Sequence, residues 1–341
     1  MLRHVLLALS TLLALPALAE EAAPRCQMQQ IASLPVRFSG SSLMPTIDGV
    51  VDGHTVPMLV DTGAYATTLI KEHMLKLGVS LRQSDNYLLS NGVGGQTEML
   101  LATVDQFAVG PAKAGHGRMR VLDMAPGFPF AAIVGRDFLF QADLELDLGH
   151  SKINFFRPKN CERAHLAYWD QNAVVLPMSN DARARRMGAF SVHINGQPVH
   201  AIIDSGAALT TLDKATAERI GLALDGAGVQ SGGRMMGIGE AVRDTLLVPV
   251  KEIAIGDEKI EGARLMVGTM GATNEAFSTD ILIGDDFLLH HRVLIAPSQS
   301  KVYISYQDGN PIANSREDRS ARIRREAEAG NPDAQRLIKP R

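Results

Sequence analysis

The sequence predicts an all-β protein of two lobes, related by internal duplication and furnished with short helices only. Three observations carry that prediction. Residues 58–69, MLVDTGAYATTL, and residues 201–212, AIIDSGAALTTL, are two versions of one apolar run ending in Asp, a hydroxyl residue and Gly. Laid over each other at an offset of 143, they match without a gap from Asp61 on Asp204 to Leu81 on Leu224, with nine of 21 positions identical. Around them, β-rich runs broken by Asp-Gly and Asn-Gly pairs have the pattern of strands joined by two-residue hairpins. The 31 glycines and few aromatic residues suit a turn-rich chain.

The duplicated frame extends in both directions. Asp52-Gly53 and Asn195-Gly196 stand at the same distance before the two aspartates. After them, Gly92-Val93-Gly94 answers Gly237-Ile238-Gly239, residues 107–110 answer 253–256, and residues 133–139 answer 282–288. The offset grows from 143 to 149, which places the insertions in loops. A period of this size is too long for a solenoid. At 341 residues, the chain gives each copy enough length to bury its own core.

Taken in order, residues 1–19 have the layout of a secretory signal peptide. Arg3 and His4 precede an apolar run from Val5 to Leu18 that closes on Ala17-Leu18-Ala19. That run of 14 residues is short of the roughly 20 needed to span a bilayer, and no later stretch is long and apolar enough. The expected location is periplasmic or secreted, without stable membrane insertion after cleavage. Residues 20–33 read as a leader or short prosegment. Residues 34–157 form the first lobe, with turns at Asp48-Gly49 and Asp52-Gly53 and a helix over 66–77 stopped by Gly78. Residues 158–173 are a linker. Residues 174–308 form the second lobe, in which the helical spacing over 209–220 stops at Gly221 in the same way. Residues 309–341 are a charged tail, disordered or partly helical, with eight basic and five acidic residues from position 314 onward. Within it EAEAGNPDAQRL resembles the opening of a Sel1-type helical repeat. One partial repeat cannot bury a face alone, so the tail reads first as disordered and second as a partner-docking segment.

The net charge of −3, with both signs interspersed, speaks against a nucleic-acid or anionic-membrane partner. The two cysteines, Cys26 and Cys161, flank the first lobe. An even count in an exported chain favours a disulfide, which would tie off the whole lobe.

A carboxylate at the end of a buried strand, followed by a hydroxyl residue and Gly, is held on a tight turn that the Gly permits. Two such carboxylates related by a pseudo-twofold can face each other and share a proton. One then activates water while the other protonates a carbonyl oxygen, which hydrolyses a peptide bond with no metal and no cofactor. Other features read as structural. The Gly-rich stretch 90–95 lacks the Lys and Ser/Thr of a phosphate loop and reads as a hairpin tip. Asp137, Asp285 and Asp286 follow a strand-ending Gly and read as helix N-caps. His290-His291 has no partner at metal-ligand spacing, and His73 and His193 read as surface or sheet positions.

The motif LVDTGAYAT at 59–67, closed by IVGRD at 133–137, resembles the retropepsin-type aspartic proteases, specifically their bacterial exported relatives, and the likeness covers nearly all of residues 35–306. Two units in one chain resemble the bilobal plan of pepsins, while a G-x-G hairpin in each resembles retropepsin dimers. The resemblance implies two closed, six- to eight-stranded β-barrel lobes and a cleft between them. Asp61 and Asp204 would be the catalytic dyad of an aspartic endopeptidase acting on a peptide or protein substrate. Thr62, Gly63, Ser205 and Gly206 would support the active loops, with Thr62 and Ser205 cross-bracing them. Ala64, Tyr65, Ala207 and Ala208 would line the substrate, beneath flap tips at Gly92, Gly94 and Gly95 and at Gly237 and Gly239.

Retroviral enzymes follow D-T-G-A with acidic residues that grip the substrate backbone. Tyr65-Ala66 and Ala208-Leu209 stand here instead, which shifts anchoring toward apolar subsites. Arg136 is answered by Asp285, so a brace of the first lobe is missing from the second. The implied state is a monomer with intramolecular lobe pairing. The competing readings are a peptide-binding module that does not cut, and lobes that pair with their own kind across two chains.

Overall fold

A computed structural model describes residues 25–83, 89–239, 241–270, 279–312 and 316–338, so the expected signal segment 1–19 lies outside the described residues. The fold is mostly β, in two domains. Its hairpins follow from the turn pairs. Asp52 and Gly53 take φ of 48° and 79°, and Asn195 and Gly196 take 51° and 80°, the successive left-handed residues that a type I′ turn requires. Each turn also pins a neighbouring strand. Asp52 Oδ1 accepts the N–H groups of Asp105 and Gln106 at 2.6 and 2.9 Å, and Asn195 Oδ1 accepts those of Lys251 and Glu252 at 2.8 and 3.2 Å. Asp48-Gly49, expected as a turn, instead lies inside the strand Met44–Val51. A Cβ at Gly49 would stand 2.4 Å from the Met58 side chain, so close packing rather than chain reversal explains the glycine there.

In the first lobe the strand leading to Asp61, His54–Val60, is flanked by Met44–Val51 antiparallel and Ala132–Val134 parallel. Thr68–Ile70, Gly117–Leu122 and Gly95–Val104 follow across the sheet. The second lobe repeats this order with Gln197–Ile203, Ile281–Ile283, Thr211–Asp213, Arg264–Gly268 and Arg243–Pro249. Neither lobe is a closed barrel among the described residues: one sheet runs open from Ala112–Ala114 to Leu81–Gln83, the other from Gln230–Met235 to Glu258–Glu261. The strand Ala112–Ala114 is exposed along its length and Gln230–Met235 nearly so. Such strands bring no apolar face with which to close a ring.

The helices are α1 (Lys71–Lys76), α2 (Arg136–Leu139), α3 (Ala182–Arg186), α4 (Lys214–Arg219), α5 (Asp285–Leu288), α6 (Arg316–Glu328) and α7 (Pro332–Ile338). The expected helix over 66–77 is shortened to α1 because Thr68, Leu69 and Ile70 are buried as a strand between two others. Thr211–Asp213 shortens α4 in the same way. Gly78 and Gly221, at φ of 75° and 78°, end the two helices in the left-handed conformation that glycine adopts freely.

A third sheet joins the domains. Its order is Gln27–Pro35, Lys152–Lys159, Asp143–Asp147, His291–Ala296, Lys301–Tyr306 and Val174–Pro177, with Leu144 opposite Ile295 and Leu146 opposite Val293 at the junction. Residues 27–33, expected as leader, are therefore part of the fold. Their mixed sequence QMQQIAS leaves most side chains exposed at the sheet edge, so hydrophobic pattern does not distinguish strand from leader. The disulfide Cys26–Cys161, with its Cα atoms 4.5 Å apart, anchors the start of that strand. Residues 158–173 cover the sheet, with Leu166 and Ala167 fully buried against Phe156, Leu294 and Tyr303.

The described residues of the tail, 316–338, form α6 and α7, which dock on the fold. Asp333 Oδ2 accepts the Gly40 N–H at 2.7 Å, Asn331 Nδ2 donates to the Phe38 carbonyl at 2.6 Å, and Arg322 donates to the Leu43 carbonyl at 2.6 Å. Ala334 is fully buried. The apolar face that one partial repeat lacks is supplied by the first lobe, about which tail composition carries no information. Among the described residues no helix is long and apolar enough to cross a membrane.

Candidate active site

Asp61 and Asp204 each stand one residue beyond their strand, held by the parallel neighbour: Asp61 N–H donates to the Val134 carbonyl at 3.1 Å and Asp204 N–H to that of Ile283 at 2.9 Å. The next residue of each loop hooks the other lobe. Thr62 Oγ1 donates to the Ile203 carbonyl at 2.7 Å and accepts the Ser205 N–H at 3.1 Å. Ser205 Oγ donates to the Val60 carbonyl at 2.7 Å and accepts the Thr62 N–H at 3.2 Å. Both side chains are buried, where a lost partner is expensive. A Cβ at Gly63 would stand 2.4 Å from the Asp204 carboxyl, and one at Gly206 2.4 Å from the Asp61 carboxyl. Glycine is what lets each loop lie against the opposite carboxyl.

Each carboxyl bears on the ionisation of the other. Burial raises the pKa of Asp61, opposed by N–H donation from Ala64, 2.8 Å from Oδ1. Burial, then the charge of Asp61, pushes Asp204 up to about 8, opposed by the Gly206 N–H at 2.9 Å. Burial and a close second carboxyl both oppose ionisation of such a group. The buried Arg136 guanidinium lies within electrostatic reach of both; burial lowers its pKa and the carboxyls oppose that fall. In the second copy the equivalent position is Asp285, fully buried with neither oxygen hydrogen-bonded among the described residues. Burial pushes it well above the carboxylate range against the opposing charge of Arg322.

Asp137 and Asp286 do not cap their helices; α2 and α5 have no side-chain cap. Each instead braces the stretch that follows an aspartate loop. Asp137 Oδ1 accepts from Thr67 N–H and Oγ1 at 2.8 and 2.7 Å, and Thr67 Oγ1 accepts the Gly135 N–H at 3.1 Å. Asp286, Thr210 and Gly284 repeat the arrangement at 2.7, 2.6 and 3.1 Å. The signal for this role was present in the sequence, since both Thr and Asp recur at matched positions of the two copies.

The glycine hairpins of the two domains meet. Gly94 N–H donates to the Ile238 carbonyl at 2.8 Å, Ala241 N–H to that of Gly94 at 2.9 Å, and Gly94 pairs with Gly239 in a parallel bridge. Between this roof and the aspartate loops runs a cleft of about 2640 Å³. Asp61, Gly63, Ala64, Tyr65, Gly92, Asp204, Gly206, Ala207, Ala208 and Gly237 line it, whereas Thr62 and Ser205 lie beneath its floor and Gly94, Gly95 and Gly239 do not line it. Tyr65 is 77% exposed at its edge. The floor is apolar, with Leu59, Phe130 and Ile133 on one side and Ile202 and Leu282 on the other. Apart from Arg136, sequence reasoning missed the arginines of the lining, three of them on α6. Among the described residues no group of three His, Cys, Asp or Glu is placed to hold a metal ion.

Each copy of the duplicated unit matches an aspartyl protease family. Residues 47–141 match the gag-polyprotein aspartyl protease model and residues 190–287 the aspartyl protease model, together more than half of the chain. No curated protein matches in sequence. Among solved structures, the chain is similar to the aspartic proteinase from Irpex lacteus at a TM-score of 0.50 and 12% identity, over 83% of this chain and 99% of that one. That likeness carries the fold alone. With both copies matched and the two-domain plan shared, the chain belongs to the retropepsin/pepsin-like aspartic protease family.

Proposed function

We propose that this aspartic protease is an endopeptidase with one active site, formed by Asp61 and Asp204, and that it works as a monomer after export. The observation that carries the reading is the two carboxyls, each lying against the other's loop, on loops that hook each other, under a roof to which both copies contribute. Both carboxyls accept a backbone N–H, from Ala64 and from Gly206, and in this proposal Asp61 is the ionised member and Asp204 the protonated one. Water held between them gives a proton to Asp61 as its oxygen bonds to the substrate carbonyl carbon. Asp204 gives its proton to the carbonyl oxygen, which leaves a neutral gem-diol. On collapse the C–N bond breaks, the amine nitrogen takes the proton from Asp61, and a diol hydroxyl returns one to Asp204. The products are an acid and an amine, with the pair restored. The disulfide favours an oxidising compartment, in line with the signal-like residues 1–19.

Incubating the mature chain with a mixed peptide pool from about pH 3 to about pH 8, with and without a statine-type inhibitor, tests the reading. Internal cleavages abolished by the inhibitor are expected. Peptide binding without cleavage at any pH would replace the endopeptidase by a binding module.

A further inference from the structure

The charge of the cleft runs against that of the chain. The whole sequence carries −3, yet among the described residues nine arginines and four aspartates line the cleft, with no lysine or glutamate. Two of those aspartates are Asp61 and Asp204, whose ionisation burial opposes. The other two are engaged with the fold: Asp213 accepts the N–H groups of Ala215 and Met270, and Asp286 those of Thr210. Six of the arginines, Arg120, Arg183, Arg186, Arg234, Arg319 and Arg325, form no ion pair among the described residues. They come from four separate places. Arg120 lies on the strand Gly117–Leu122, Arg183 and Arg186 on α3, Arg234 on the strand leading into the second flap, and Arg319 and Arg325 on α6.

The floor near the aspartates, by contrast, is apolar on both sides. The six arginines are exposed whereas Leu59, Phe130, Ile133 and Ile202 of the floor are buried, so an occupant that matches this pattern is apolar toward the floor and carries anionic groups toward solvent. The cleft, about 2640 Å³, is also well beyond the roughly 300–1,000 Å³ of a small-molecule site. That volume suits a polymer.

Resting on the peptidase reading above, we propose that the substrate is an acidic protein segment. Its apolar residues straddle the scissile bond, and its Asp and Glu side chains reach the arginine rim, to which the tail helix α6 contributes. Guanidinium forks take carboxylates bidentately. A single exposed pair counts for little, but like charges focused along a low-dielectric cleft raise association about 10- to 1,000-fold at low salt. Steering of this kind acts on capture and therefore on KM, leaving the chemical step alone.

The test uses two peptide pools with the same randomised apolar cores, one flanked by glutamates and the other by glutamines, at about pH 6, where glutamate is ionised. The expected result is a kcat/KM about 10- to 100-fold higher for the glutamate pool, carried by KM and shrinking in high salt. The pair Arg319→Gln with Arg325→Gln should narrow that gap, and the corresponding Lys pair should restore much of it. Equal or better cleavage of the glutamine pool by the unaltered chain overturns the inference while leaving the peptidase intact. If neither pool is cut, the peptidase reading fails. Binding of the same pools, followed by fluorescence anisotropy, then decides: tighter glutamate binding supports the acidic ligand and equal affinity overturns it.

Discussion

At the residue scale, the two aspartates were legible because strand, hydroxyl and glycine recur around them, whereas Asp137 and Asp286, which recur together with their Thr partners, were misread as caps. A capping preference is local, and it lost to Thr67 and Thr210, partners about seventy residues away that only the folded sheet brings near. Asp285 was legible only as a difference between the copies; its full burial without hydrogen bonds was not. That burial has a consequence for pH. As pH rises past about 4, the unfolded chain loses from residue 285 a proton that the fold retains, because burial raises the folded carboxyl. Stability from this group is thus complete in acid and declines until the folded carboxyl titrates. Asp204, pushed up to about 8, acts in the same direction. Asp285→Asn should therefore flatten the fall in Tm between about pH 4 and about pH 8 relative to the unaltered chain. A slope unchanged by the substitution would mean that residue 285 is already ionised in the fold.

At the element scale, turn chemistry was readable where φ must be positive, as at Asp52-Gly53 and Asn195-Gly196, and misread where glycine serves packing, as at Gly49. Helical spacing at 66–77 and 209–220 misled because Thr and Leu serve a buried three-residue strand as well as a helix. The tail helices were obscured because their docking face belongs to another domain. The flap glycines allow a sharper expectation. A Cβ at Gly239 would stand 2.4 Å from the Gly94 carbonyl, and one at Gly94 would stand 2.7 Å from the Gly239 oxygen. Gly94→Val or Gly239→Val must part the roof while leaving the domain cores alone. Turnover should drop by ~10-fold or more, with Tm shifting only a few degrees. Parallel kinetics and thermal melts check this; a loss of Tm in proportion to the loss of turnover would make these glycines structural turns.

For the whole molecule, duplication announced two similar domains, and the repeated strand order agrees with it. The sheet that joins them was not legible, because its central pairing sets residues 143–147 against 291–296, and hydrophobic pattern carries no partner identity over such a distance. Nor was the arginine rim, since a net charge of −3 conceals how charge is distributed. The bridge Cys26–Cys161 closes a sequence separation of 135 and fixes the outer edge of the joining sheet. Replacing both cysteines by serine should destabilise the chain by up to about 5 kcal/mol, the chain-entropy limit for such a loop. Denaturant unfolding measures it, and a variant of unchanged stability would show that the edge strand holds without the bridge. The central claim is that the two copies build one catalytic unit rather than two halves awaiting partners. Kinetics of Asp61→Asn, Asp204→Asn and the double variant, on a peptide that the unaltered chain cuts, test it most directly. Because the carboxyls act together, each single substitution should abolish cleavage and the double should cost no more than either. Substantial turnover by either single variant would contradict the account and point to separate sites formed between chains.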